Sequence, residues 1–359
     1  MEKTPRKILL LAGIAMLASA CAREVPQDAE YSLDQCRRLA LIDAANGLTI
    51  RGAEDFALDA EHGRLFISAY DRRAVEKAAK KRRDELPQGG VYAVALSEIF
   101  DHKTAELKLA SLAAPGDFAG GLRPHGIAFD ANNRELLFIN RTYVKHGRKW
   151  KMVPKLQRIG ANGEMFVGEA ATTHCAANDV AAMPNRVLTS FDHASCGAGA
   201  AFENIFRLKR SGVADHDRPV YSRAAFANGI AEIANGELAL AATRESAVII
   251  LTTAESELEE RARIALPGRP DNLTVSADGA IVAAVHPSMR KLAANRKFGI
   301  GKSPSRIVRA MPDGGPVTVL FDDPKATLFS AATVGLETER GLIAGSVTDD
   351  GLLVCQAGL

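Results

Sequence analysis

The chain has 359 residues, with 45 Lys and Arg against 43 Asp and Glu for a formal net charge of +2, and 47% of it is hydrophobic and 25% charged. That globular balance excludes wholesale disorder, a collagen-like fibre and a polytopic membrane protein. The near-zero charge argues against nucleic acid as a partner, because such binders concentrate a basic face.

In chain order, the first element is an export signal. Lys3, Arg6 and Lys7 form a basic start, and Ile8 to Ala20 is an apolar run of 13 residues. That run is too short for a hydrocarbon core about 30 Å thick, but it has the size of a signal h-region. Ala18-Ser19-Ala20 has the small-x-small form of a cleavage site and Cys21 follows it. The stretch Leu17 to Cys21 resembles a bacterial lipoprotein signal, although Ala18 stands where Leu is usual. The expectation is a signal peptide over 1–20 and a lipid anchor at Cys21, which ties an exported chain to a membrane, the outer one favoured, in the periplasm or at the cell surface. A short linker over 21–35 and one folded domain over 36–359 complete it. Plain secretion and an uncleaved anchor are the alternatives.

Four cysteines then remain: Cys36, Cys175, Cys196 and Cys355. An even number in an oxidising compartment points to disulfides, with three pairings open. Pairing Cys36 with Cys355 ties the termini together and leaves Cys175 to pair locally with Cys196. Four free thiols, or a zinc site from His174, Cys175, His193 and Cys196, are the other readings, though that spacing matches no standard finger.

The rest of the chain repeats one pattern, an apolar strand, a polar turn and a second apolar strand. It begins at Phe56, Gly126, Val180, Gly229, Leu273 and Ala332, at intervals of 70, 54, 49, 44 and 59 residues. Six hairpins with room for two further strands each predict an all-β, six-bladed propeller, since one hairpin cannot bury its core face alone. Gly90–Ser97 and Arg306–Pro312 read as outer strands, and a β-sandwich pair is the rival architecture. Between the first two repeats, Arg72 to Arg83 carries seven bases in 12 residues, which reads as a solvated helix or loop, a lid over the site, or a contact with anionic lipid.

The residues just before each repeat carry the chemistry: Glu54-Asp55, His125, Asn178-Asp179, Asn228 and Asp271-Asn272. The first strand of each propeller blade lines the axis, so these positions converge. Each alone is an ordinary turn residue. Together, Glu54, Asn178, Asn228, Asp271 and Asn272 offer two carboxylates and three amide carbonyls, a hard-oxygen set suited to Ca²⁺ rather than zinc or copper. Strand alternation lets Asp55 and Asp179 serve a second, structural ion.

These segments resemble the paraoxonase/arylesterase family of calcium-dependent six-bladed propellers, which is related to the gluconolactonase type. The matching stretches are 52–60 (GAEDFALDA), 123–130 (RPHGIAFD), 178–183 (NDVAAM), Asp192-His193, 226–232 (FANGIAE), 270–279 (PDNLTVSADG) and His286-Pro287, with Cys36 and Cys355 on the family's terminal disulfide. The resemblance implies two Ca²⁺ ions. The catalytic one falls to Glu54, Asn178, Asn228, Asp271 and Asn272, and the structural one to Asp55, Asp179 and the Ile127 carbonyl. It places His125 on the first histidine of a catalytic pair, with Asp192, His193 and His286 around the site. The second histidine is missing: Arg141 occupies its place, and His146 lies five residues later.

The implied activity is hydrolysis of lactones or aryl esters, with His125 as base. Leu122, Ile127 and Phe226 tilt the expected substrate toward apolar compounds. The alternatives are a sugar-lactonase of gluconolactonase type and a non-catalytic, calcium-stabilised propeller that binds a ligand or protein. Among other hydrolase motifs only an SxxK match, Ser288 to Lys291, occurs; GxSxG and HExxH are missing.

Overall fold

The computed structural model describes residues 28–163, 171–254 and 257–356; the signal segment and Cys21 lie outside them. Five antiparallel sheets and a sixth, mixed one make up the fold, and each has one of the six expected strands at its inner edge. These inner strands are Ala53–Asp59, Pro124–Asp130, Ala177–Met183, Ala227–Glu232, Arg269–Val275 and Ala332–Thr338. Consecutive inner strands contact one another, and the first contacts the last, so the sheets close into a ring. This is the six-bladed propeller, and radial closure excludes the sandwich.

Among the described residues, blades three to five have four strands, whereas blades one and two have three, fewer than the repeat arithmetic predicts. In blade two the outer edge carries only the isolated bridge between Leu156 and Ala171 among the described residues; in blade one the reason is the closure. The strand Glu106–Leu109, which follows blade one in sequence, leaves it to run parallel to Cys36–Asp43 on the edge of the sixth blade. Cys36–Asp43 in turn pairs antiparallel with Leu352–Gln356, with Cys36 directly opposite Cys355, and the two are disulfide-bonded. The last sheet thus mixes both ends of the chain. Cys175 and Cys196 form the second disulfide, which excludes the zinc and free-thiol readings. Upstream of Cys36, Tyr31 already packs against Phe321, Phe329 and Leu342.

The apolar cores lie between neighbouring blades. Leu65, Ile67, Val334, Ile343 and Val354 join the first blade to the last, and Val248, Ile250, Leu273 and Val285 join the fourth to the fifth. The pattern follows from strands covered on both faces by adjacent blades, which read as runs of Ala, Val, Ile and Leu.

Two helical segments sit over one end of the ring. Arg72–Lys80 is capped by Asp71, whose carboxylate accepts from the Ala74 N–H at 2.8 Å. Its apolar side, Val75, Ala78 and Ala79, packs on Tyr70, Leu86, Tyr143 and Trp150. Tyr143 and Trp150 come from a long hairpin of blade two, Glu135–His146 and Lys149–Gly160. The second segment, Met289–Phe298, starts at Ser288, whose hydroxyl accepts from the Lys291 N–H. That cap gives the Ser288–Lys291 match a structural role. The segments touch where Arg73 Nε donates to the Arg296 carbonyl at 3.3 Å.

Candidate metal centre and its cavity

Every inner strand loses its pairing register at the same place. The shifts fall between Ala53 and Asp55, Pro124 and Ile127, Ala227 and Ile230, Pro270 and Leu273, and Ala332 and Val334; in blade three the shift lies opposite Asn178 and Asp179. A bulge puts two residues opposite one and re-aims their side chains. Here the bulged positions are those holding Glu54, His125, Asn178, Asn228, Asp271 and Asn272, which brings residues from five blades to the axis. In the sixth blade the position belongs to Thr333, whose hydroxyl donates to the Glu54 carbonyl oxygen at 2.9 Å. Sequence reading passed over Thr333 because a lone Thr carries no ligand signal.

Glu54, His125, Asn178, Asn228 and Asp271 line a single cavity of about 480 Å³, together with Asp192, His193, Phe226 and His286. Asn272 is buried beside it, donating from Nδ2 to the Glu54 carbonyl oxygen at 2.8 Å. The outer partners are in place. His286 Nε2 lies 2.7 Å from Asp271 Oδ2, while Asp271 Oδ1 accepts from Asn228 Nδ2. Asn178 Nδ2 donates to Asp192 Oδ2 at 3.5 Å, and Asp192 Oδ1 is 2.6 Å from His193 Nδ1. Burial alone lowers the His193 pKa, but the Asp192 carboxylate outweighs it and holds that imidazole above its ordinary range.

The buried acceptors are not all satisfied. Asn178 Oδ1 has no hydrogen-bond partner, and Glu54 Oε2 has only His125 Nδ1 at 2.9 Å, outside hydrogen-bonding geometry. Buried acceptors left without donors are costly, and two such oxygens facing one cavity with Asn228, Asp271 and Asn272 around them fit a hard cation. Below this cluster, Asp55 and Asp179 are buried against each other. Asp55 Oδ2 accepts from the Ile127 N–H at 2.9 Å, Asp179 Oδ2 from the Ile230 N–H at 2.8 Å, and Asp55 Oδ1 accepts from none. Burial and the facing carboxylate push the Asp55 pKa well up, and burial raises Asp179 too. Two neighbouring carboxylates and an orphan oxygen also fit a cation. For Ile127 the contact is through its N–H.

His125 is buried, and burial and the Arg141 cation push its pKa down to about 4, against the opposing pull of Glu54. Burial pushes the Glu54 carboxyl up, but His125, Arg72 and Arg141 more than compensate and hold it well below its usual range. Arg141 is itself buried at 6% exposure, with Nη1 on Tyr70 Oη at 3.3 Å. A guanidinium therefore occupies the side of His125 where a second imidazole was sought. His146 is exposed at the tip of the blade-two hairpin, paired with Lys149.

One expectation about the walls needs correction. Of the three apolar residues thought to shape the pocket, only Phe226 lines it. Leu122 is core, and Ile127 faces a separate cavity at the other end of the inner strands. The basic run, in contrast, turns one residue inward: Arg72 Nη1 reaches Glu54 Oε1 at 3.3 Å while Nε holds Glu76 at 3.2 Å.

No protein-family description matches the chain, and no curated protein does. Among solved structures it is similar to a gluconolactonase from Xanthomonas campestris, at 14% identity and TM-score 0.48, over 93% of this chain and 99% of that one. A candidate gluconolactonase solved by structural genomics has 14% identity and TM-score 0.45, over 89% of this chain and 91% of that one. A protein of unknown function from Bacteroides caccae has 10% identity and TM-score 0.42, over 78% and 84%. The six-blade assignment above rests on the sheets of the chain itself.

Proposed function

We propose that this protein is a calcium-dependent hydrolase of lactones and related esters, of the kind the paraoxonase-like segments imply. The observation that carries the reading is the convergence of bulged residues from five blades on one cavity with orphaned acceptor oxygens and a buried imidazole beside them. Glu54, Asn178, Asn228, Asp271 and Asn272 would hold the catalytic ion, and Asp55 and Asp179, with Ile127 beside them, the structural one. When bound, calcium supplies Lewis-acid polarisation of the scissile carbonyl and stabilises charge developing on its oxygen.

The remaining chemistry falls to the chain. His125 is neutral near pH 7, so it can accept a proton. The Glu54 carboxylate 2.9 Å from Nδ1 favours the tautomer with its proton on that nitrogen, which leaves Nε2 as the basic one. There it takes the proton of the attacking water as the new C–O bond forms. It returns that proton to the leaving oxygen as the ring bond breaks, giving a hydroxy acid. Glu54 and Arg141 act on His125 in opposite senses, the carboxylate favouring the protonated ring and the guanidinium the neutral one. Arg141 cannot relay a proton, since guanidinium stays charged, which separates this site from a histidine-pair mechanism.

A sugar-lactonase reading gains from the same walls, because the cavity is lined mainly by polar and charged residues. Purified residues 22–359 should hydrolyse at least one of an aliphatic lactone, a sugar lactone and phenyl acetate, lose activity in EGTA and regain it with calcium. Calcium-bound protein inert on all three would favour the non-catalytic binding propeller.

The two disulfides fit an oxidising compartment, and we propose that the chain is exported and lipid-anchored at Cys21. Palmitate labelling that is lost in Cys21→Ala tests this, and labelling that persists in the variant would refute it.

A further inference from the structure

The cavity is ringed by cations. Arg72, Arg244, Arg290, Arg296 and Lys297 line it, against Glu54, Asp192 and Asp271, and a divalent ion at the axis would widen the excess. Most of this charge is engaged by the protein. Arg72 pairs with Glu54 and Glu76, and Arg296 stands 3.7 Å from Glu76. Arg244 differs. Its Nε donates to Asn204 Oδ1 at 2.6 Å, which fixes the guanidinium, and no carboxylate among the described residues takes its remaining N–H groups.

Its neighbours increase the charge rather than balance it. Arg207 and Arg269 stand close enough that burial and their repulsion lower the Arg244 pKa. Arg269 Nε is buried with no acceptor. Arg244, on the cavity wall, and Arg269, behind it, are both tied to the axial cluster. The Arg244 N–H donates to the Ala225 carbonyl at 3.1 Å, three residues before Asn228, and Arg269 opens the strand that carries Asp271, opposite His286. Like charges gathered around Arg244 are unfavourable until an anion arrives, and a fixed guanidinium fork suits carboxylate or phosphate oxygens.

We propose that the natural substrate carries an anionic group, a carboxylate or a phosphate, next to the lactone or ester carbonyl, and that Arg244 is its receptor. The proposal rests on the hydrolase reading and narrows it, replacing the apolar substrate that the sequence favoured. A cavity of about 480 Å³ has room for a five- or six-membered ring with one such arm.

The test compares kcat/KM within two substrate pairs: γ-carboxy-γ-butyrolactone against γ-valerolactone, and the phosphate ester of glucono-δ-lactone against glucono-δ-lactone. The anionic member of at least one pair should be preferred by about tenfold or more, the scale of a charge-assisted hydrogen bond, and the preference should shrink as ionic strength rises. The preferred pair decides between carboxylate and phosphate. Arg244→Gln should bring that ratio close to one, and Arg244→Lys should keep part of it. If Arg244→Gln does not fold, Asn204→Ala, which releases the guanidinium, should lower the same ratio. Equal rates within both pairs, or a preference unmoved in a folded Arg244→Gln, overturn the proposal and leave the hydrolase reading standing. If nothing is hydrolysed, calorimetry with α-hydroxyglutarate and with inorganic phosphate decides. Binding lost in Arg244→Gln keeps the anion site while the hydrolase reading falls, and no binding ends both.

Discussion

The chemistry of the site turns on how single residues set one another's charge. Because burial and Arg141 hold His125 near pKa 4, its base form is present throughout the neutral range and is lost only as pH falls through about 4. Activity should therefore be flat in this group from pH 6 to 8, with an acid limb well below an ordinary imidazole's 6.5. Arg141→Met should move that limb upward, and an NMR titration of His125 would show the same shift; a limb near 6.5 in the unaltered protein would refute this arrangement. Removing Asp271 should eliminate calcium binding at the upper site by calorimetry. His286→Ala, which takes away the partner of Asp271 Oδ2 at 2.7 Å, should weaken it by about 10–100-fold, the range for outer partners of metal ligands. The residues of the axial cluster were legible in the sequence because five of six repeats showed oxygen or imidazole side chains at one offset. Arg72, Arg244 and Arg296 were not, since an arginine in a loop looks the same whether it faces a cavity or water.

At the scale of elements, the ring's centre depends on close approach between inner strands. A Cβ on Gly126 would lie 2.1 Å from Asp179 Oδ1, and one on Gly229 would lie 2.6 Å from the Asn272 Cα. Gly126→Ala should cost at least about 1–3 kcal/mol by overpacking and disturb Asp179, lowering calcium-dependent stabilisation in thermal melts. Arg123 is a second device. Buried at 2% exposure, it donates to the carbonyls of Pro87, Gly120 and Leu86 and so ties two loops to the strand that carries His125. Arg123→Met removes the donor of the Pro87 carbonyl, while the Leu86 and Gly120 carbonyls keep Gln88 Nε2 and the Tyr143 N–H, and should cost about 1–3 kcal/mol in denaturant unfolding. The bulge at each inner strand was invisible in the sequence. Two adjacent polar residues, as in Glu54-Asp55 or Asn178-Asp179, read equally as a turn, and only pairing with the next strand shows the slipped register.

For the molecule as a whole, the two decisive features are closure and central charge. Cys36 and Cys355 are 319 residues apart, so their bond limits the unfolded chain strongly. The paired Ser variant should lose about 5–6 kcal/mol in the chain-entropy model, read as a lower guanidinium midpoint without a change of fold. The Asp55–Asp179 pair acts in the opposite direction in calcium-free protein. Folded-state pKa values raised by burial and repulsion mean stability that is full below the ordinary carboxylate range and is lost as pH rises through the raised values. In EGTA the melting temperature should therefore fall between pH 5 and pH 8. Asp55→Asn should flatten that fall, and calcium should reverse it in the unaltered protein only.

The sequence by itself determined the number of blades, the inner strands and the convergence of one position from five of the six repeats. Those features are written in period-two hydrophobicity and in recurrence, which are local and survive without coordinates. Strand exchange at the closing blade, the bulges that aim the ligands and the arginine-lined wall were decided only by tertiary structure. Each depends on which distant segments face one another: Glu106–Leu109 on Cys36–Asp43, Arg72 on Glu54, Arg244 on Asn204. The expected placement of Leu122 and Ile127 on the pocket wall failed for the same reason. Leu122 and Ile127 are next to the site in sequence but turn into core and the opposite end of the channel, while charges remote along the chain form its walls.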